Sequence, residues 1–275
     1  MPVQNSATVE PELPNPFTDE YVREQVKLYG LDSYSKGGVL VRTETSFGSA
    51  HPDYLNKWFS TGDLSVPVFY IDGRVWMSLA RMEVQSQAVP IALAEGKVVL
   101  LGLGMGFCCL KIMAKPDVEE VLVYELDARV IKFFQECFQA RPGFEKVRFI
   151  QGDAREKFQG EHCTFCYSDI YPLLFGDGIE TDPELFTTRN DIETYVYWGF
   201  ERIIWEALEQ ELIQPTHMPL LLRWFFSAWM KTPACSRDQS IMLSNLPFDG
   251  QLKSDFVVQM VNAIKLEGFD FKPGR

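Results

Sequence analysis

Three features are scarce in this 275-residue sequence: basic residues relative to acidic ones, histidine, and long apolar runs. The chain has 26 Lys and Arg against 38 Asp and Glu, a formal net charge of -12, which disfavours bulk attraction to nucleic acid phosphates. No stretch approaches the roughly 20 apolar residues that span a bilayer. We therefore expect a cytoplasmic protein that binds neither nucleic acid nor membrane and has a small molecule or a protein as its substrate.

A metal site is also disfavoured, because the candidate ligands are few and scattered. The chain has six Cys and three His, and one short cluster, HCTFC, spans His162 to Cys166. A structural zinc site needs a second pair of ligands at a defined spacing, and none is visible. We expect no metal, with Cys166 in a buried strand and the cysteines as small core residues in a reducing compartment.

The sequence predicts three parts. Residues 1–16 are polar and proline-rich, which is typical of a flexible tail. Residues 17–90 begin with a helical pattern that stops at Gly30, and then show strand patterns with Asp72-Gly73 between two apolar runs, a strong hairpin signal. Residues 91–275 form the third and largest part.

The third part alternates strands and helices. Four strand patterns, KVVLLGL, EEVLVYELD, KVRFIQGD and TFCYSDIY, are separated by helical ones, including DARVIKFFQECFQ with Asp127 as its N-cap. This alternation predicts an α/β fold with a doubly wound, mostly parallel sheet and a small N-terminal β-hairpin element. Asn190 and Glu193 form a capping box that predicts a long helix. Beyond it, MPLLLRWFFSAWM fits either a fifth strand or a buried helix, and SDFVVQMVNAIKLEG an amphipathic helix.

The first strand ends in three alternate glycines, Gly102, Gly104 and Gly106. Their missing side chains let a ligand approach the main chain, and the N–H groups of the following helix start favour a negative group. A nicotinamide or flavin site places its third glycine one position later, where this chain has Phe107, and a P-loop ends in Gly-Lys-Ser/Thr, which is absent. The dehydrogenase interpretation is therefore the weaker one.

The alternating pattern GLGMG, followed in order by VYELD, IQGDARE and YSDIYP, resembles the class I S-adenosylmethionine-dependent methyltransferases, and among them the spermidine synthase-like group. The resemblance covers roughly residues 65 to 172. It implies a Rossmann-like methyltransferase fold and S-adenosylmethionine as the cofactor. The implied cofactor-binding residues are those of the glycine loop, the strand-end acid with its neighbour for the ribose, and a pair for the adenine: Gly102, Leu103, Gly104, Met105, Gly106, Glu125, Leu126, Asp153 and Ala154.

The same resemblance bears on the transferred group. Aminopropyltransferases carry an aspartate just before the last loop glycine and two aspartates three apart in the fourth motif; this chain has Met105, Asp169 and Pro172 there. Two of three amine-binding carboxylates are missing, and a polyamine needs several. We therefore predict a methyltransferase acting on a small molecule. Other carboxylates could substitute for the missing ones: Glu83, Asp177 and Glu180.

Asp169 and Tyr171 are the candidate catalytic residues. We expect Asp169 to orient or deprotonate the acceptor and Tyr171 to line the site, against the alternatives of a cap and of ordinary packing. Aromatic residues that could reach the acceptor are Tyr195, Trp198 and Trp224. Two other functions stay open: an aminopropyltransferase using decarboxylated S-adenosylmethionine, and a non-enzymatic protein retaining the fold. The resemblance also implies a homodimer, with the hairpin element as its contact, as one candidate assembly.

Overall fold

A computed structural model of the protein describes residues 19–46, 51–52, 59–60, 63–172 and 181–199. The predicted tail 1–16, the candidates Asp177, Glu180 and Trp224, and the two elements predicted beyond residue 200 lie outside the described residues. No helix in the described ranges combines the length and apolar composition that crossing a membrane requires.

The N-terminal part forms an antiparallel sheet larger than the predicted hairpin, with strand order β1-β2-β5-β6. Asp72 and Gly73 connect β5 to β6 with positive φ angles of 51° and 77°, the backbone of a tight hairpin turn, which confirms that prediction. Strands β3 and β4 form a separate two-stranded sheet. The elements are α1 (Asp19–Tyr29), β1 (Ser33–Lys36), β2 (Val39–Ser46), β3 (His51–Pro52), β4 (Phe59–Ser60), β5 (Leu64–Ile71) and β6 (Arg74–Ser78).

Two short helices that no sequence pattern predicted lead into a five-stranded parallel sheet, with strand order β11-β10-β7-β8-β9. The predicted doubly wound sheet is confirmed. Its elements are α2 (Arg81–Ser86), α3 (Ala88–Leu93), β7 (Gly96–Leu101), α4 (Phe107–Met113), β8 (Val118–Glu125), α5 (Ala128–Phe138), a 3-10 turn (Phe144–Lys146), β9 (Val147–Gln151), α6 (Ala154–Lys157), β10 (His162–Ser168), α7 (Asp182–Arg189) and β11 (Asp191–Tyr197).

Residues 98–101 of the central strand β7 are all apolar because both faces of the strand are covered there. Val98 and Leu100 belong to the hydrophobic core on one face, and Val99 and Leu101 to a second core on the other. This alternation follows from the two-residue period of a strand. The first core also contains residues of α1, β2 and β5, so the N-terminal sheet packs on the parallel sheet through shared apolar contacts. The domain boundary near residue 90 stays a prediction.

The long helix predicted from Asn190 is wrong, because residues 191–197 form β11, which pairs with β10 in parallel. Asn190 does not begin a helix; it is the C-cap residue of α7. Its side chain accepts the Glu161 N–H (3.0 Å) and donates to the carbonyls of Phe158 (3.2 Å) and Phe186 (3.0 Å). With Asn190 held by these three partners, the β-branched and aromatic residues of DIETYVY favour pairing with the free edge of β10.

Candidate functional site

The glycine loop lies where the order of the parallel strands reverses. Strand β7 is central, β8 lies on one side of it and β10 on the other. The loop that follows β7 is hydrogen-bonded to both neighbours: Gly102 N–H donates to the Tyr124 carbonyl on the β8 side, and Asp169 N–H donates to the Leu101 carbonyl on the β10 side, each at 2.8 Å. A crevice at such a switch point is where open α/β sheets bind ligands.

Two of the three loop glycines are required by packing inside the protein. All three have positive φ angles, 94°, 53° and 83° at Gly102, Gly104 and Gly106. A Cβ at Gly102 would overlap the carbonyl oxygen of Asp169, and a Cβ at Gly106 would overlap the Phe134 ring of α5. Each of these positions therefore excludes a side chain whether or not a ligand is bound.

Gly104 and Met105 are contacted from the N-terminal sheet. A Cβ at Gly104 would lie 2.5 Å from the sulfur of Met77, a β6 residue. The Met105 N–H donates to that same sulfur at 3.0 Å, and the Met105 carbonyl accepts the hydroxyl of Tyr29 at 2.8 Å. Both backbone polar groups of Met105 are thus bonded to N-terminal elements, so its amide is not free for a ligand in this conformation.

Glu125, at the end of β8, shapes the loop with its carboxylate. One oxygen accepts the Leu103 N–H at 2.9 Å and the other accepts the Asp127 N–H at 2.8 Å. Burial raises the pKa of Glu125, and these amide bonds oppose that shift only in part. Each oxygen keeps a second lone pair for a further donor. Leu126 beside it is 69% exposed and presents an apolar side chain at the same strand end.

The segment after β9 is fixed against α7. Asp153 caps α6 by accepting the Arg155 N–H at 2.9 Å, and Ala154 is buried. The Arg155 guanidinium makes two hydrogen bonds to Asp182, at 3.0 and 2.8 Å, and Asp182 is 2% exposed. Gly152 N–H donates to the Glu125 carbonyl at 3.0 Å, so the ends of β8 and β9 meet. Asp153 is therefore held close to the strand end of Glu125.

Asp169 follows β10 and has an unusual environment for a carboxylate. It is half-buried, and none of the described residues donates a hydrogen bond to its side chain. Burial raises its pKa to about 7. Glu83 of α2 lies near enough that the Asp169 charge adds to burial in raising the Glu83 pKa. The sequence had indicated Glu83 only as one of three spare acids; the structure brings these two carboxyl groups together.

No described basic side chain contributes to the raised pKa values of Glu83 and Asp169. The side-chain amide of Gln87 donates to Glu83, and the Gln87 oxygen is buried with no hydrogen-bond partner in the described part of the chain. Burial raises the pKa of the Cys108 thiol, and the charge of Asp169 raises it further. A cluster of this composition favours a ligand that donates hydrogen bonds.

Tyr171 lies with a different set of groups. Burial raises its pKa to about 12, and the groups that act on it are Ser168, Asp182 and Tyr195. The hydroxyls of Ser168, Tyr171 and Tyr195 are buried, and none forms a well-oriented hydrogen bond with a described residue. The role of Tyr171 in lining an acceptor site stays a prediction. Trp198, the second aromatic candidate, packs against the first core.

The HCTFC cluster is divided between surface and interior. His162 is exposed, and its Nδ1 lies 2.9 Å from a carboxylate oxygen of Asp191. Cys163 and Cys166 are buried in β10, which confirms the prediction for Cys166. His162 is the first residue of β10, whereas both cysteines belong to the second hydrophobic core.

Comparison with known proteins gives a likeness of fold. No family model matches the chain, and no curated protein sequence matches it. A spermidine synthase in complex with the transition state analogue AdoDATO is 20% identical, with a TM-score of 0.33, over 51% of this chain and 47% of that one. The spermidine synthase from Thermotoga maritima is 18% identical, with a TM-score of 0.32, over 51% and 48%. The CcbJ methyltransferase from Streptomyces caelestis is 19% identical, with a TM-score of 0.29, over 34% and 39%.

The matched region spans about half the length of the two spermidine synthases. At these identities the likeness concerns the fold alone and carries no argument about activity. The strand order, with the glycine loop after the central strand, is that of a doubly wound Rossmann-like sheet, so the predicted fold class is confirmed.

Proposed function

We propose that the protein is an S-adenosylmethionine-dependent methyltransferase whose acceptor is a small molecule with an amine. The observation that carries this proposal is the arrangement at the switch point: a carboxylate follows each strand beside the glycine loop. Glu125, on the β8 side, is bonded to the loop, whereas Asp169, on the β10 side, receives no hydrogen bond from a described residue and lies near Glu83. A bonded acid suits cofactor binding, and an unbonded acid suits the acceptor.

The residues beside the loop fit an adenosyl ligand. Glu125 retains acceptor capacity for ribose hydroxyls, and the exposed Leu126 offers an apolar surface to a planar base. Asp153, held near the Glu125 strand end, is the candidate partner of the adenine amino group, beside the backbone of Ala154. Helix α4 begins without a side-chain cap, which leaves N–H groups at the loop for a carboxylate.

When bound, S-adenosylmethionine supplies a methyl group on a positively charged sulfur, which a nucleophile attacks as the carbon–sulfur bond breaks. The protein must then orient the acceptor nitrogen and accept its proton. Asp169 suits this role because a carboxyl group with a pKa of about 7 exchanges protons readily near neutral pH. Glu83 supports it by supplying a second acceptor for the remaining N–H groups of an amine.

Aminopropyl transfer is the second candidate, and the pairing of Glu83 with Asp169 favours it. The sequence lacks acids at Met105 and Pro172, but Glu83 adds a second carboxyl group beside Asp169 from a different element. A diamine recognised by two carboxylates would fit such a pair.

Ligand binding tests the proposal first. Unfolding of the purified protein should be monitored with and without S-adenosylmethionine and its decarboxylated form, and the purified protein should be searched for a co-purifying adenosyl nucleoside by mass spectrometry. At 100 times its dissociation constant, the ligand should stabilise the protein by about 2.7 kcal/mol. Preference for the decarboxylated form would favour aminopropyl transfer, and no response to either would favour a non-enzymatic protein.

Acceptor class is tested separately, by transfer of a labelled methyl group. Small primary and secondary amines should be compared with alcohols and carboxylates of the same size at several pH values between 6 and 8.5. The proposal expects transfer to amines only, with a rate that increases as the pH passes through about 7. Equal transfer to alcohols would contradict the assignment of the carboxyl pair to amine recognition.

A further inference from the structure

Met77 fills part of the glycine loop with its own side chain. Its sulfur lies in the space that Gly104 leaves open by having no Cβ, and it accepts the Met105 N–H at 3.0 Å. We define these two interactions together as the Met77 contact. The contact occupies a backbone N–H group of the loop, which is the kind of group that a ligand at this loop would use.

The two backbone groups of Met105 are held with unequal strength. Its carbonyl accepts the hydroxyl of Tyr29, which is buried and belongs to α1. Within the described part of the chain its N–H is bonded to a thioether alone, and a thioether sulfur is a weak acceptor. The hydrogen bond of the Met105 carbonyl is therefore the stronger one. The sulfur that accepts the Met105 N–H can be replaced by a better acceptor.

The strand that carries Met77 is also suited to move. Among the described strands, β6 lies at the edge of the N-terminal sheet and pairs with β5 alone. The pairing has an irregularity next to Met77: Phe69 pairs with Met77 and Tyr70 with Val75, so Trp76 is left over as an extra residue. Bulges of this kind redirect side chains. Val75 and Trp76 are 62% and 58% exposed, so the strand has little packing on that side.

We infer that the Met77 contact is autoinhibitory: the thioether occupies the glycine loop, and a ligand that takes the Met105 N–H must displace it. The inference rests on the proposed function only for the identity of that ligand, S-adenosylmethionine. The contact itself joins two residues of this chain, and it can be measured without any cofactor.

Amide exchange tests the contact in the absence of ligand. Hydrogen exchange of the Met105 amide should be measured by NMR in the wild type, in Met77→Leu, which keeps the bulk and removes the acceptor, and in Met77→Ala. Met82→Ala is the matched control, because Met82 is an exposed methionine of the adjacent α2. Exchange should be roughly tenfold faster in both Met77 variants and unchanged in the control. Unchanged exchange in both Met77 variants would overturn the inference.

Cofactor affinity tests the inhibitory part. Calorimetry should show S-adenosylmethionine binding roughly 3- to 10-fold tighter in Met77→Leu and Met77→Ala than in the wild type, since the ligand no longer replaces a hydrogen bond. Wild-type or weaker affinity in both variants, despite faster exchange, would overturn the autoinhibitory role. If the wild type binds no cofactor while Met105 exchange still depends on Met77, the proposed function fails and the intramolecular contact stands.

Discussion

Glu125 and Asp169 are acids at the ends of the two strands that flank β7, and they differ in one respect. Both are half-buried, and burial raises the pKa of each. Glu125 accepts two backbone N–H groups, whereas no described residue donates to Asp169, whose near neighbour is the acid Glu83. The same type of residue in corresponding positions thus serves to build the loop on one side and keeps its acceptors unused on the other.

The largest effect is expected from replacing the unbonded acid. Asp169→Asn should lower the rate of methyl transfer by about 100- to 1000-fold at pH 8, because the proposed base is lost, while S-adenosylmethionine affinity stays within about twofold. Transfer rate and calorimetric dissociation constant should be measured on the same preparation. A large loss of cofactor affinity would mean that Asp169, like Glu125, shapes the cofactor site.

Replacement of the bonded acid should act on binding and on folding together. Glu125→Ala should weaken S-adenosylmethionine binding by about 100-fold and lower the free energy of unfolding by about 2 kcal/mol, because the Leu103 and Asp127 amides lose their acceptor. Urea unfolding and calorimetry measure the two effects. Glu125→Gln, which keeps one acceptor oxygen, serves as the control. Normal cofactor binding by Glu125→Ala would show that the ribose assignment is wrong.

The pH dependence of stability separates the two acids further. The Asp169 pKa is raised from 3.8 to about 7, so the folded state favours the protonated form. Its stabilising contribution is fully present below pH 4 and is lost as the pH rises to about 7. The free energy of unfolding of the wild type should therefore fall by about 4 kcal/mol relative to Asp169→Asn between pH 4 and 7.5, since each unit of the raised pKa corresponds to about 1.4 kcal/mol. Urea unfolding across this range measures the difference, and a difference independent of pH would contradict the assignment.

The smallest effect is expected on the N-terminal side of the loop. Tyr29→Phe removes one buried hydrogen bond to the Met105 carbonyl and should lower the free energy of unfolding by about 1 kcal/mol. Cofactor affinity should fall by roughly two- to fivefold, because the loop is less well ordered. Tyr34→Phe, which loses an exposed hydrogen bond to Glu136, is a matched control that should leave affinity unchanged. Equal effects of both would mean that the loop needs no support from α1.

Sequence patterns predicted an element correctly where its structure depends on residues adjacent in sequence. The apolar run of β7 and the N-cap at Asp127 were predicted because a buried strand and a helix start depend on a few adjacent residues. The capping box at Asn190 failed for the opposite reason. Its side chain is held by residues from 4 to 32 positions away, and no local pattern reports such partners.

The candidate site shows the same division. The sequence indicated Glu125 and Asp169 because strand-end acids in an α/β fold face the crevice. It did not indicate Met77, which is 28 positions from Met105, or the pairing of Glu83 with Asp169, which joins α2 to the end of β10. These contacts depend on how the N-terminal elements pack on the parallel sheet, which periodicity does not encode.

The close approach of Gly102 to the Asp169 carbonyl matters for protein engineering. A methyl group at position 102 could be accommodated only if the end of β10 moved away, and Asp169 would move with it. Substitutions of Gly102 should therefore raise the KM values for both the methyl donor and the acceptor. Libraries intended to alter acceptor preference would do better to keep position 102 constant and to diversify the α2 positions around Glu83.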